Sequence, residues 1–141
     1  MTSAPQFGTQ AKTQTLGLDA NLAALLCYVP FFPVNVVSPA LWLATEPRES
    51  RFLRFHALQS LTLSAVAVVL FVAAVVGGMI VSILIGMAAS SLSALFVLCF
   101  QLALVGIGLT ALTLFVVGMV KAYGGHEWEI PFVGQIATLF V

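Results

Sequence analysis

The feature that most constrains this chain is a run of 66 residues, Phe55 to Val120, that contains no charged side chain. At 1.5 Å of rise per residue such a run can cross a hydrocarbon layer about 30 Å thick at least twice as helix. A second charge-free run, Ala20 to Thr45, holds 26 residues, enough for one crossing. All the charged residues fall in three patches around these runs: Lys12 to Asp19, Glu46 to Arg54 and Lys121 to Glu129. Charged residues make up 7% of the chain and hydrophobic residues 61%, against about 25% and about 45–50% in soluble domains. So few charges cannot clothe a water-facing surface. The five Lys and Arg are balanced by five Asp and Glu, which leaves no basic footprint for nucleic acid. A soluble domain, a disordered chain and a nucleic-acid binder are therefore excluded, and the partner that composition implies is a lipid bilayer.

The expected fold is all-α: a polytopic membrane protein with three transmembrane helices and a short interfacial helix at the C-terminus. Residues 1–17, rich in Thr, Gln, Ser, Ala and Gly, read as a disordered leader, and residues 18–141 as one helical transmembrane domain. The spans are expected near 20–45, 56–85 and 92–121, with the second helix starting in the aqueous layer at Pro47. The least apolar stretch of the long run, Gly86 to Ser93, is the expected turn at the far face. Three crossings put Arg48, Arg51, Arg54 and Lys121 on one side and Lys12 on the other, a usable positive-inside bias, whereas four crossings give a split that selects nothing. In a further variant Ala20–Thr45 is a re-entrant hairpin bent at Pro30, Pro33 and Pro39, and all five basic residues share one face. The pattern is that of a multi-pass protein without a cleavable signal.

The segment from Thr45 to Ser60 is the densest in chemistry. Pro47 suits the first turn of a helix. Arg51, Phe55 and Gln59 follow on one face, and His56, Ser60 and Ser64 stack on a neighbouring one. With Arg54 these residues form a polar cluster that must face protein, because lipid offers no hydrogen-bonding partners. His56 is the only group in this run that titrates near neutral pH. Its first reading is a hydrogen-bonded residue that ties helices together, and its second a proton relay or ligand site. Cys27 and Cys99 read as buried small hydrophobes.

Ala74, Gly78, Ser82 and Gly86 recur every four positions, a small-residue stripe that lets helix backbones approach closely, either within one chain or between copies. Gly106, Thr110 and Gly118 give the next helix a shallow side. After Lys121 and Tyr123, Gly125 with its neighbour can end that helix and Pro131 can begin another, while Glu127 and Glu129 sit on a wet tail. Phe132, Val133, Ile136, Leu139 and Phe140 would then form the apolar face of an interfacial helix over 131–140. Trp42, Tyr123 and Trp128 read as an aromatic belt. The opposite charges of the two wet segments suggest that Arg51 or Arg54 pairs with Glu127 or Glu129 and fastens the tail.

No catalytic motif is present: there is no GxSxG, no HExxH, no phosphate-cradling glycine loop and no acidic pair within a membrane run. His56 with Ser60 is the one nucleophile-and-base candidate, and Ser60 lacks a turn that would expose it. The expectation is a protein that is not an enzyme and needs no cofactor or metal.

Arg51-Phe-Leu-Arg54-Phe-His56-Ala-Leu-Gln59-Ser, the run Leu25-Leu-Cys-Tyr-Val-Pro30, and Lys121-Ala-Tyr-Gly-Gly125 with Ile130-Pro131-Phe-Val133 together resemble one group of small bacterial membrane proteins. These are related to the Tic twenty-kilodalton subunit of the chloroplast inner-envelope import translocon and include MamF-type proteins of the magnetosome membrane. The resemblance implies a helical protein of the bacterial inner membrane, or of a membrane derived from it, that assembles with copies of itself or with other membrane proteins. In the plastid branch Asn stands where this chain has His56, which implies a need for a hydrogen bond at that position. Two functions follow: an assembly subunit of a membrane complex, in which the polar cluster is sealed within one protomer, or a small pore or carrier lined by His56, Gln59, Ser60 and Ser64. The next helix adds only Gln101, Thr110 and Thr113 as lining, which favours the first.

Overall fold

The computed structural model describes residues 12–88, 90–131 and 133–138. The elements are α1 (Ala20–Cys27), α2 (Val34–Thr45), α3 (Arg51–Ala88), α4 (Ser90–Tyr123) and α5 (Val133–Thr138), and among the described residues there is no β-strand. Two of these, α3 and α4, are long and apolar enough to cross a membrane. The chain divides into two compact units, one made of residues 1–64 and 113–141 and the other of residues 65–112.

The first unit holds the packed core. Ala20–Thr45 does not form one span-length helix: α1, with 8 residues, is about 12 Å long and α2, with 12, about 18 Å. The chain leaves the helix at Tyr28, whose N–H already bonds to Leu25 O, because Pro30 has no N–H to continue the ladder. It resumes after Pro33, which takes the N-cap position of α2. Pro39, by contrast, is accommodated inside α2, so two of the three prolines bend the chain and one does not. α1 and α2 pack against each other as a hairpin. Both ends of this hairpin lie together, since Gln14 N donates to Glu46 Oε1 at 3.0 Å. A single membrane crossing would set them on opposite faces.

The leader is ordered where it is described. Lys12 and Asp19 form an antiparallel bridge, Thr13 Oγ1 accepts from Leu18 N at 3.0 Å, and Gly17 turns the chain at φ 63, a left-handed conformation that glycine adopts without strain. Residues 12–17 of the expected leader thus have a defined backbone path. The rest of the leader lies outside the described residues. Trp42 is corrected: it is 1% exposed, a core residue of this unit and not part of an interfacial belt.

The end of α4 follows the expectation from its glycines. His126 N bonds to Lys121 O at 3.0 Å and Gly125 N to Ala122 O at 3.1 Å, with Gly125 at φ 71. These are the two bonds and the left-handed residue of a Schellman cap. Pro131 lies in a turn just before α5. Ile130 and Val133 are buried in the core, so this side of the tail packs on protein and not on lipid. Phe132, Leu139 and Phe140, which the expected 131–140 helix needs, lie outside the described residues.

The second unit is an apolar helical hairpin. Its α3 portion, 65–88, runs about 36 Å and its α4 portion, 90–112, about 35 Å, each close to the thickness of a hydrocarbon core. The reversal falls within the expected Gly86–Ser93 stretch. Most of its large side chains are exposed, among them Val69, Phe71, Ile83, Leu84, Leu95 and Leu102, as suits a surface solvated by lipid. Gly78 is buried, and a Cβ placed on it would collide with the Phe100 ring. Nearer the turn, a Cβ on Gly86 would touch Ser93 Cβ at 3.9 Å. Gly78 and Gly86, two of the four residues of the Ala74, Gly78, Ser82 and Gly86 stripe, therefore lie against the other arm of this hairpin.

Candidate functional site

The polar cluster on the first turns of α3 is gathered into the interior of the first unit. His56 is 1% exposed, Gln59 and Ser60 are both 0%, and Ser64 is 7%. The helical spacing that places them on adjacent faces of α3 turns them toward the α1–α2 hairpin and the C-terminal tail. Tyr28, at the end of α1, puts its hydroxyl 3.2 Å from His56 Nδ1. Three aromatic rings enclose the imidazole edge-on: Tyr28 at 5.7 Å, Phe52 at 4.7 Å and Phe55 at 5.3 Å between centroids. The His126 backbone approaches the ring, while Nε2 has no partner in hydrogen-bonding geometry.

The neighbours continue the pattern. Gln59 Nε2 donates to Trp128 O at 3.1 Å and leaves Oε1 without a partner. Ser60 Oγ donates to Ala57 O at 3.1 Å. The Cys27 thiol, fully buried, lies beside both Ser38 of α2 and Ser60 of α3. These contacts tie α1, α2, α3 and the tail together through side chains that lipid could not satisfy.

The arginines work at the edge of the same unit. Arg54 Nη1 donates to Leu43 O at 3.2 Å and to Glu46 O at 3.3 Å, capping carbonyls that the end of α2 leaves open and placing a cation at its negative pole. Arg51 is exposed and lines an open cleft with Lys12, Glu46, Glu49 and Glu127. Among the described residues no arginine forms an ion pair with Glu127 or Glu129. The expected charge fastening thus has no direct pair among the described residues, although Arg51 and Glu127 line the same cleft. The tail is held by hydrogen bonds to its backbone instead, from Gln59 to Trp128 O and from Asn21 Nδ2 to Tyr123 O at 3.1 Å. Solvated charges gain little by pairing at a surface, whereas a buried amide without a partner is costly.

Two residues of this site were passed over in the sequence. Tyr28 belongs to the Leu25–Pro30 run but carries no polar periodicity of its own. Gly118, noted only as part of a shallow helix side, lets the Tyr28 ring lie directly on α4. The signal was the pairing of a lone aromatic before a proline with a helical glycine, which becomes visible only once the partner helix is known.

His56 as a hydrogen-bonding residue leads to a clear expectation. His56→Asn should leave the detergent-solubilised protein close to its normal melting temperature, because an amide can still pair with the Tyr28 hydroxyl. His56→Leu should lower stability by about 1–2 kcal/mol by leaving that buried hydroxyl alone. Thermal unfolding of the three proteins side by side checks this, and equal loss in both variants would exclude it.

The family model described as the magnetosome magnetite crystal formation protein family matches residues 13–137. The chain belongs to that family. The matched region takes in the leader's ordered end, the hairpin, the polar cluster, both long helices and most of α5. Two relatives come from Methanocaldococcus jannaschii. The UPF0132 membrane protein MJ1527 is 34% identical over 133 residues, covering 92% of this chain and 75% of that protein. The UPF0132 membrane protein MJ1443 is 32% identical over 134 residues, covering 89% of this chain and 92% of that protein. No solved structure matches this family member. Membership and the two long apolar helices together make it a membrane protein.

Proposed function

We propose that this chain is a non-enzymatic, multi-pass subunit that helps assemble a membrane complex, with copies of itself or with other membrane proteins. The observation that carries this reading is the closure of the polar cluster: His56, Gln59, Ser60 and Ser64 are all turned into one protomer. A pore would need these side chains along a wet path, and a hydrolase would need Ser60 open to substrate. The resemblance to the plastid translocon subunit supports an assembly role, and the family's association with magnetosome magnetite crystal formation is compatible with a membrane scaffold. A pull-down of the intact protein in gentle detergent, read by mass spectrometry, is expected to recover stoichiometric membrane partners or the chain's own oligomer. Recovery of the monomer alone would overturn the assembly reading.

In this reading the second unit crosses the bilayer as a two-helix hairpin and Ala20–Thr45 is re-entrant, dipping into the near leaflet with Phe31 and Phe32, which are 66% and 77% exposed. The two ends of the hairpin meet at Gln14 and Glu46, and Asn21 meets Tyr123. This arrangement supports placing Lys12, Arg48, Arg51, Arg54 and Lys121 on one face, and the positive-inside bias makes that face cytoplasmic in a bacterial inner membrane or one derived from it. Single cysteines at Thr15, Ser50 and Ser91, in a chain lacking both Cys27 and Cys99, test the topology with a membrane-impermeant thiol reagent. Thr15→Cys and Ser50→Cys should label from the cytoplasmic side and Ser91→Cys from the other. Labelling of Thr15→Cys together with Ser91→Cys would restore three crossings.

A further inference from the structure

Among the described residues, the apolar hairpin carries a polar side chain, Gln101, that its own fold does not use. Ser82 Oγ donates to Gly78 O at 2.7 Å and Thr110 Oγ1 to Gly106 O at 2.9 Å. These are bonds to the carbonyl four residues back, by which hydroxyls satisfy themselves inside a helix. The amide of Gln101, with two N–H donors and one carbonyl acceptor, forms no hydrogen bond among the described residues. It is exposed on the hairpin surface, eleven residues from Ser90 and eleven from Leu112. That places it about 16 Å along the helix from either end of this stretch. A side chain with two methylenes cannot reach a headgroup over that distance. Val97 and Leu104 lie beside it in a shallow groove along the hairpin, whose one other polar lining residue among the described residues, Ser82, already donates its hydroxyl to Gly78 O.

We infer that Gln101 forms the centre of a two-fold contact with a second copy of this chain inside the bilayer. The inference rests on the reading that residues 65–112 span the membrane. Hydrocarbon offers neither a donor nor an acceptor, so an unpaired amide at this depth drives helices together. A primary amide is complementary to itself: across a two-fold axis one N–H of each Gln101 donates to the carbonyl of the other, so that the acceptor and one donor of each copy are paired by one residue in each copy. An unrelated partner would need its own amide or hydroxyl at the same depth, whereas a second copy supplies one by symmetry. One turn to either side, Val97 and Val105 are exposed at 40% and 58%, which leaves them free to pack across the axis. The native thiol of Cys99, also exposed, lies about 200° around the helix from Gln101 and points away from the contact.

Disulfide trapping of the full-length protein in lipid vesicles tests this. Cys99→Ala/Val97→Cys and Cys99→Ala/Val105→Cys should both give a cross-linked dimer under mild oxidation, whereas the native chain, with Cys99 in place, should not. Adding Gln101→Leu should lower the trapped fraction about tenfold, and Gln101→Asn should retain part of it. Trapping through Cys99 as efficient as through position 97 or 105, or trapping unchanged by Gln101→Leu at an unchanged melting temperature, would overturn the contact. In the same vesicles Ser50→Cys and Ser91→Cys report the hairpin's topology. If they label from one side, the spanning reading itself has failed, and that outcome is distinguishable from a hairpin that spans as a monomer.

Discussion

Replacing Trp42 by alanine is expected to lower the unfolding free energy of the detergent-solubilised protein by about 3–5 kcal/mol, the range for truncating a buried indole. Trp42 is 1% exposed and belongs to the core that joins α1, α2, the start of α3 and the tail. Its Nε1 donates to Ser38 Oγ at 3.1 Å, and Ser38 in turn stands beside the Cys27 thiol. The truncation therefore opens a cavity and also frees a hydroxyl in the polar cluster. Trp42→Phe keeps most of the apolar contact and loses only the hydrogen bond, so it should cost clearly less. The remaining tryptophan, Trp128, packs partly against the same core and gives a fluorescence signal for unfolding. A loss below about 1 kcal/mol for Trp42→Ala, the scale of a surface change, would show that the hairpin does not pack on this core.

Gly118→Ala is expected to destabilise by about 1–3 kcal/mol although it adds a single methyl group, the range for overpacking a filled interior. A Cβ at Gly118 would stand 2.5 Å from Tyr28 Cδ1 and 2.7 Å from Cε1. The Tyr28 ring has no room to yield, since the residue is fully buried and its hydroxyl is held at His56. In a lipid-facing stretch the same substitution should be neutral or slightly stabilising, because glycine is a poor helix former. Gly106→Ala and Gly108→Ala, where an added Cβ meets nothing within 4 Å, supply that control. Tyr28→Ala removes the obstacle, so Gly118→Ala made on that background should cost little. Additive losses in the double variant would sink the proposed contact.

Much of this arrangement was written in the sequence. Without a charge between Phe55 and Val120, that run could not be a water-facing surface, and its length set two helices around a turn near Gly86–Ser93. The alternation of His56, Ser60 and Ser64 with Gln59 required a protein-facing side, because lipid cannot satisfy those groups. The two glycines after Tyr123 required a helix end, since a left-handed residue there costs glycine little.

Tertiary structure decided what these patterns were for. Twenty-six apolar residues are long enough to cross a bilayer, and hydropathy is blind to whether the chain doubles back. The outcome depended on Pro30 and Pro33 breaking the helix where Pro39 did not, and on Glu46 finding the Gln14 amide. Neither is a local property. Complementary charge on two wet segments suggested an Arg–Glu fastening, but exposed ions stay solvated, and the tail closed through Gln59 and Asn21 onto backbone carbonyls that only folding brought within reach. Sequence by itself determined the solvent, the two long helices and the burial of the polar cluster, because those follow from transfer free energies along the chain. Only the fold decided the partners, because a hydrogen bond between Tyr28 and His56 depends on distance in space and not on separation in sequence.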